Sequence, residues 1–177
     1  MKEKIFSNKF LAVAGLILLA AISRLIPHPL NFAPITGMAL FAAVYFDEKK
    51  FAFAVPVFAM FLSDLLIGFH SQMITVYVSF LFIVGIGLLV KNRKSIGTVA
   101  LASVSSSILF FVVTNFGMWA MGTLYSKDLT GLALCFTAAI PFFQNTLLGD
   151  LFYTGLLFGV YEVLKVKLPQ TVKVDIK

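Results

Sequence analysis

The stretch MITVYVSFLFIVGIGLLV (73–90), KNRKS (91–95) and IGTVALASVSSSILFFVVTNFGMWAM (96–121) decides which solvent this chain folds in. Two long blocks without a charged residue flank a connector holding Lys91, Arg93 and Lys94. A helix needs about 20 apolar residues to cross a hydrocarbon core roughly 30 Å thick. Each block is therefore long enough to span a bilayer, with the basic connector left in water. Working outward, further apolar runs occupy 10–26, 34–46 and 51–69 on one side and 132–164 on the other. The reading is an all-α membrane protein, a bundle of about six transmembrane helices forming one integral membrane domain over 1–177. The last run is too long for one span. Pro141, which lacks an amide and disfavours a helix interior, is expected to start the sixth span at 142–164 and leave 132–140 re-entrant or interfacial.

Composition agrees. Of 177 residues, 60% are hydrophobic and only 12% charged, against about 25% charged in an ordinary soluble domain, and the mean hydropathy is +0.98. No stretch remains for a catalytic domain outside the bilayer. The single cysteine, Cys135, excludes an internal disulfide and a Cys-rich metal site and reads as a small core residue. Gly85 and Gly87 lack the strand and helix start of a nucleotide-binding turn, so they are expected to permit close helix packing.

The net charge of +6 would suggest nucleic acid in a soluble protein, but topology accounts for it. Twelve of the fourteen Lys and Arg fall on alternate connections: Lys2, Lys4, Lys9; Lys49, Lys50; Lys91, Arg93, Lys94; and Lys165, Lys167, Lys173, Lys177. Only Arg24 and Lys127 fall on the other side. The positive-inside rule then places both termini in the cytoplasm of a multi-pass protein of the bacterial inner membrane. The bilayer is the expected partner, and nucleic acid is not. Met1 to Ser23 also has the shape of a signal peptide, but its removal would leave five spans and break the alternation.

Polar side chains at membrane depth are costly and are functional-site candidates by default. On this topology they cluster toward the outer face. Arg24 ends the first span and opens a rigid Pro27-His28-Pro29-Leu30-Asn31 loop, with His28 held between two prolines. Asp64 lies in the outer third of the third span. Ser107, Phe111, Asn115 and Trp119 recur every four residues as one stripe. Gln144, Asn145 and Asp150 sit in the outer half to middle of the sixth span. The inner halves are almost wholly apolar, which describes a cup open outward and sealed toward the cytoplasm. Candidate substrate-binding residues are Arg24, His28, Asn31, Asp64, Asn115, Trp119, Gln144, Asn145 and Asp150; no catalytic or metal-ligating residue and no cofactor is assigned. Arg24 and Asp64, at similar depth, either pair with each other or meet a ligand.

Six spans in about 180 residues, the Arg24-Leu25-Ile26-Pro27-His28-Pro29-Leu30-Asn31-Phe32 segment and the outward polar groups resemble the S components of energy-coupling factor (ECF) transporters. The resemblance covers essentially the whole chain and is to an uncharacterised branch of putative transport proteins. It implies capture of a vitamin-like micronutrient at the outer face, toppling in the membrane, and a cycle driven by a coupling subunit and two ATPases. S components that share a coupling subunit often carry Ala-x-x-x-Ala in the first helix. Here that spacing occurs at Ala39 and Ala43 in the second span instead, which leaves a solitary transporter as the alternative. The substrate suggested is a cobalamin or other corrinoid, with thiamine-like, flavin-like and nicotinamide-like compounds as alternatives. The chain is not expected to be an enzyme. The competing classes are an intramembrane enzyme using Asp64 and Asp150, and a small assembly subunit of a membrane complex.

Overall fold

The computed structural model describes residues 7–167. Lys2, Lys4, Lys173 and Lys177 of the charge pattern, and with them both termini, lie outside the described residues. Among the described residues six α-helices follow one another: α1 (Asn8–Ser23), α2 (Ile35–Tyr45), α3 (Lys49–Ile67), α4 (Met73–Val90), α5 (Ile96–Met121) and α6 (Leu129–Lys167), with a 3-10 turn at Lys91–Arg93. Four of them, α3 to α6, are long and apolar enough to cross a membrane. The protein is an all-α membrane protein.

Local chemistry sets several of the boundaries. The Ser7 hydroxyl accepts the Phe10 amide to start α1, and Ser95 and Thr98 form a reciprocal capping box at the start of α5. α3 stops at Gly68, whose φ of +105° is a conformation that side-chain-bearing residues avoid. Before α6, the Asp128 carboxylate accepts the Gly131 amide at 2.7 Å and the Ser126 hydroxyl at 3.0 Å. These donors hold its carboxyl below the usual carboxylate range.

The core is organised around α2. Every residue from Thr36 to Tyr45 is buried, and α2 touches all five other helices. With 11 residues it is about 17 Å long, roughly half the thickness of a hydrocarbon core. The second apolar run is thus a short central helix, sheathed by protein on all sides. Small residues bring the neighbours close. A Cβ placed on Gly37 would stand 3.0 Å from the Tyr153 backbone of α6, and one on Gly87 of α4 would stand 2.5 Å from the Ala43 Cβ. Ala39 and Ala43 are fully buried in this packing.

α6 departs from expectation. Instead of a break at Pro141, one helix of 39 residues runs through it, about 58 Å at 1.5 Å per residue. Packing across the proline explains its persistence: the Phe111 ring of α5 lies 5.7 Å from that of Phe136 and 5.0 Å from that of Phe143, one on each side. Pro141 itself is exposed.

The two glycines of α4 differ in what surrounds them. A Cβ on Gly85 would have nothing within 4 Å, whereas one on Gly87 would meet α2. Gly87→Ala should therefore lower the unfolding free energy by about 1–3 kcal/mol, and Gly85→Ala should be neutral or stabilising by up to about 1 kcal/mol. Thermal unfolding in detergent checks this, and equal effects from the two substitutions would refute the packing assignment.

Candidate functional site

Three segments converge at the end of the bundle where α1 and α3 finish and α4 begins. Arg24 follows the last residue of α1, and Asp64 lies one turn before the end of α3. The Arg24 Nη2 stands 2.7 Å from the Asp64 Oδ1, with side-chain exposures of only 10% and 1%. Arg24 Nη1 also donates to the Ser63 hydroxyl and, at 3.4 Å, to the Met60 carbonyl. The Tyr77 hydroxyl of α4 donates to Asp64 Oδ2 at 2.8 Å. Both carboxylate oxygens of Asp64 are therefore committed within the protein, and α1, α3 and α4 are tied by one polar cluster.

The loop leaving Arg24 is clamped onto α6. Asn31 adopts φ of 64°, the left-handed region that asparagine tolerates better than most residues, and the Phe32 amide donates to the Pro29 carbonyl at 3.0 Å. Asn145 Nδ2 donates to the Leu30 carbonyl at 3.0 Å. Gly149 lets the Phe32 backbone approach closely, since a Cβ there would stand 3.0 Å from the Phe32 Cα.

Next to this loop is a second buried carboxylate. Asp150, 3% exposed, accepts the Ser107 hydroxyl of α5 at 2.6 Å and hydrogen bonds from both the hydroxyl and the amide of Thr36. Thr36 lies in the first turn of α2, and Pro34, at the N-cap position, makes no side-chain cap bond. A carboxylate borne by α6 thus caps the amino end of α2, where free amides and the helix dipole favour negative charge. Asp150 makes no ion pair among the described residues.

Between these groups is a cavity of about 280 Å³ lined by Arg24, His28, Asn31, Ala33, Ile35, Thr36, Ile67, Val76, Phe110, Thr146 and Asp150. The loop after α1 and helices α2 to α6 contribute to its wall. Of the candidate residues, Arg24, His28, Asn31 and Asp150 line it, Asp64 sits behind Arg24, and Asn145 positions the loop. The remaining candidates lie elsewhere. Asn115 donates to the Phe111 carbonyl one turn back, and the Trp119 indole donates to the Ser126 carbonyl in the α5–α6 connection. Gln144 is exposed on α6. The four-residue stripe was real as a helix face, but α6 covers it: Cys135 approaches the Asn115 carbonyl at 3.4 Å.

Thr36, Ser63, Tyr77 and Thr146 are polar groups that sequence reasoning passed over. Thr36 and Tyr77 stand in apolar runs with no spacing to mark them, whereas Ser63 and Thr146 adjoin the candidates Asp64 and Asn145 and could have been found by that adjacency. Another cavity, about 700 Å³, opens at the opposite end and is walled by α5 and α6, with Tyr45, Lys94, Glu162 and Lys165 at its rim. Among the described residues no group of three or more His, Cys, Asp and Glu comes together.

The chain belongs to a family of unknown function, DUF6580, whose pattern matches residues 4–171. No curated protein and no solved structure matches it.

Removing one partner of the buried ion pair leaves the other charge exposed to an apolar interior, which costs about 3–5 kcal/mol. Arg24→Met and Asp64→Leu should each destabilise by that amount, while the double substitution should recover most of the loss. Equilibrium unfolding of the four proteins in a double-mutant cycle measures the coupling; simple additivity would show that the pair is not a unit.

Proposed function

We propose that this protein is a multi-pass protein of the bacterial inner membrane, with both termini in the cytoplasm, that captures a small polar micronutrient from the outer side. In this reading it acts as an S component of the ECF type or as a solitary relative. The observation that carries the reading is the cavity of about 280 Å³, whose wall joins a guanidinium, an imidazole and an amide from the loop after α1 with two hydroxyls and a carboxylate from α2 and α6. A few convergent polar groups on an otherwise apolar concavity are what a small-molecule site requires. The orientation rests on the basic residues. Lys9 pairs with Asp47 and Lys91 reaches the Phe46 carbonyl, so the lysine-bearing connections gather at the end away from Arg24 and Asp64, as the positive-inside rule favours.

Size and charge narrow the substrate. The cavity lies at the lower edge of the roughly 300–1,000 Å³ of ligand pockets, which favours a single-ring or two-ring heterocycle and disfavours a corrinoid. Arg24 and Asp64 neutralise each other, leaving Asp150 as the carboxylate that a ligand amine or ring N–H would meet. A thiamine-like or nicotinamide-like compound suits these groups better than an anionic one. Both carboxylates are held by structural donors on different sides of the cavity, which supports capture over acid and base catalysis. Ala39 and Ala43 are enclosed by the bundle, so docking on a coupling subunit would use another surface, and solitary action is the simpler form.

Native mass spectrometry of protein purified from cells grown in rich medium, with identification of released compounds, tests the reading. A stoichiometric vitamin-like compound is expected. Asp150→Asn should weaken its binding by roughly 10- to 100-fold, the worth of a hydrogen bond to a charged group, and Asn115→Ala should leave it unchanged. No released compound, together with a flat thermal-shift response to a vitamin panel, would refute capture.

A further inference from the structure

We propose that the groove between α5 and α6 at the lysine-bearing end holds an anionic phospholipid, its phosphate on Lys94 and Lys165 and an acyl chain along the apolar floor. This groove is the cavity of about 700 Å³, and it shares no lining residue with the smaller one. Its floor is apolar and lies on the flank of the bundle, where Ile96 is 93% exposed and Leu151 37% exposed. Gly155 and Gly159, one turn apart on α6, keep it open, because a Cβ at either would have nothing within 4 Å. A flank groove of this kind faces acyl chains rather than water.

The rim supplies the opposite chemistry. Glu162 is already occupied: one oxygen accepts the Tyr45 hydroxyl at 2.6 Å and the other pairs with Lys165 at 3.2 Å. Lys94 makes no ion pair among the described residues; its ammonium sits 4.4 Å from the centre of the Tyr45 ring. Burial lowers the Lys94 pKa from its ordinary value, Glu162 opposes that shift, and Lys165, Lys9 and Lys91 add to it. A phosphate at this point would meet an ammonium that makes no direct ion pair, Glu162 being held by Tyr45 and Lys165. Basic pockets between membrane helices on the cytoplasmic side suit anionic headgroups, and each lysine near such a surface contributes about 1 kcal/mol, or roughly fivefold in affinity. A soluble anion would use the rim alone and leave the apolar floor uncovered. Gly155 and Gly159 also have the spacing by which membrane helices associate, so a second copy of the chain is the rival occupant.

The full-length protein, equilibrated in detergent with equal amounts of phosphatidylglycerol and phosphatidylcholine, is examined by native mass spectrometry. One phosphatidylglycerol should be retained in preference to phosphatidylcholine. Lys94→Gln and Lys165→Gln, both at exposed positions, should each reduce that preference about fivefold. Gly155→Leu should fill the floor and abolish retention while keeping the helical circular dichroism of the parent. Free glycerol phosphate at the same concentration should leave the lipid in place, and Asp150→Asn should not affect it, which separates this site from the substrate cavity. Equal retention of the two lipids, retention surviving Gly155→Leu, displacement by glycerol phosphate, or a dimer mass in place of bound lipid would each overturn the assignment.

Discussion

A helix of eleven residues cannot reach both faces of a bilayer, so the amino-terminal amides of α2 must find partners inside the protein. An unpaired buried amide costs several kcal/mol in hydrocarbon. Asp150 answers the problem from another helix by accepting hydrogen bonds from Thr36. The rest of the arrangement follows from enclosing α2. Five helices surround it, small residues at Gly37, Ala43 and Gly87 let them approach, and the loop from Arg24 to Pro34 turns inward to deliver the chain to the start of α2. The same turn brings Arg24, His28 and Asn31 to one cavity with Asp150.

The polar groups divide between two tasks. Arg24, Asp64, Ser63 and Tyr77 satisfy one another and fasten α1, α3 and α4 together. Such a cluster is a poor source of net stability, because desolvating two charges offsets much of their attraction. Its value is positional, since it fixes one wall of the cavity and holds the guanidinium at its edge. Asp150 has only neutral donors around it and makes no ion pair among the described residues. The two carboxylates thus differ in their surroundings: Asp64 has an internal cation, and Asp150 has neutral donors alone.

Much of the helix arrangement was legible because apolar length is a strong signal in a membrane chain. The runs at 73–90 and 96–121 coincide with α4 and α5, and the first three lie within three residues of α1, α2 and α3. The pairing of Arg24 with Asp64 was legible as one of two alternatives, since opposite charges at similar depth either meet each other or meet a ligand. What could not be read depended on packing. Pro141 breaks helices in isolation, but Phe111 lodged between Phe136 and Phe143 sustains this one. The four-residue repeat marks the face holding Asn115 and Trp119 without saying that the face turns toward α6. Thr36 and Tyr77 were invisible for a related reason: a lone hydroxyl in an apolar run carries no period, and its role appears only when another helix brings a carboxylate to it.

The cap that Asp150 provides for α2 joins residues more than a hundred positions apart in the chain. During synthesis α2 emerges early, yet the group that satisfies its amino end arrives with the last helix. The central helix therefore cannot reach its final setting while the chain is still being inserted. A fragment ending before α6 would carry an α2 without this cap and a cavity lacking one wall. The long-range cap thus makes the local setting of the central helix a property of the assembled bundle rather than of its own segment.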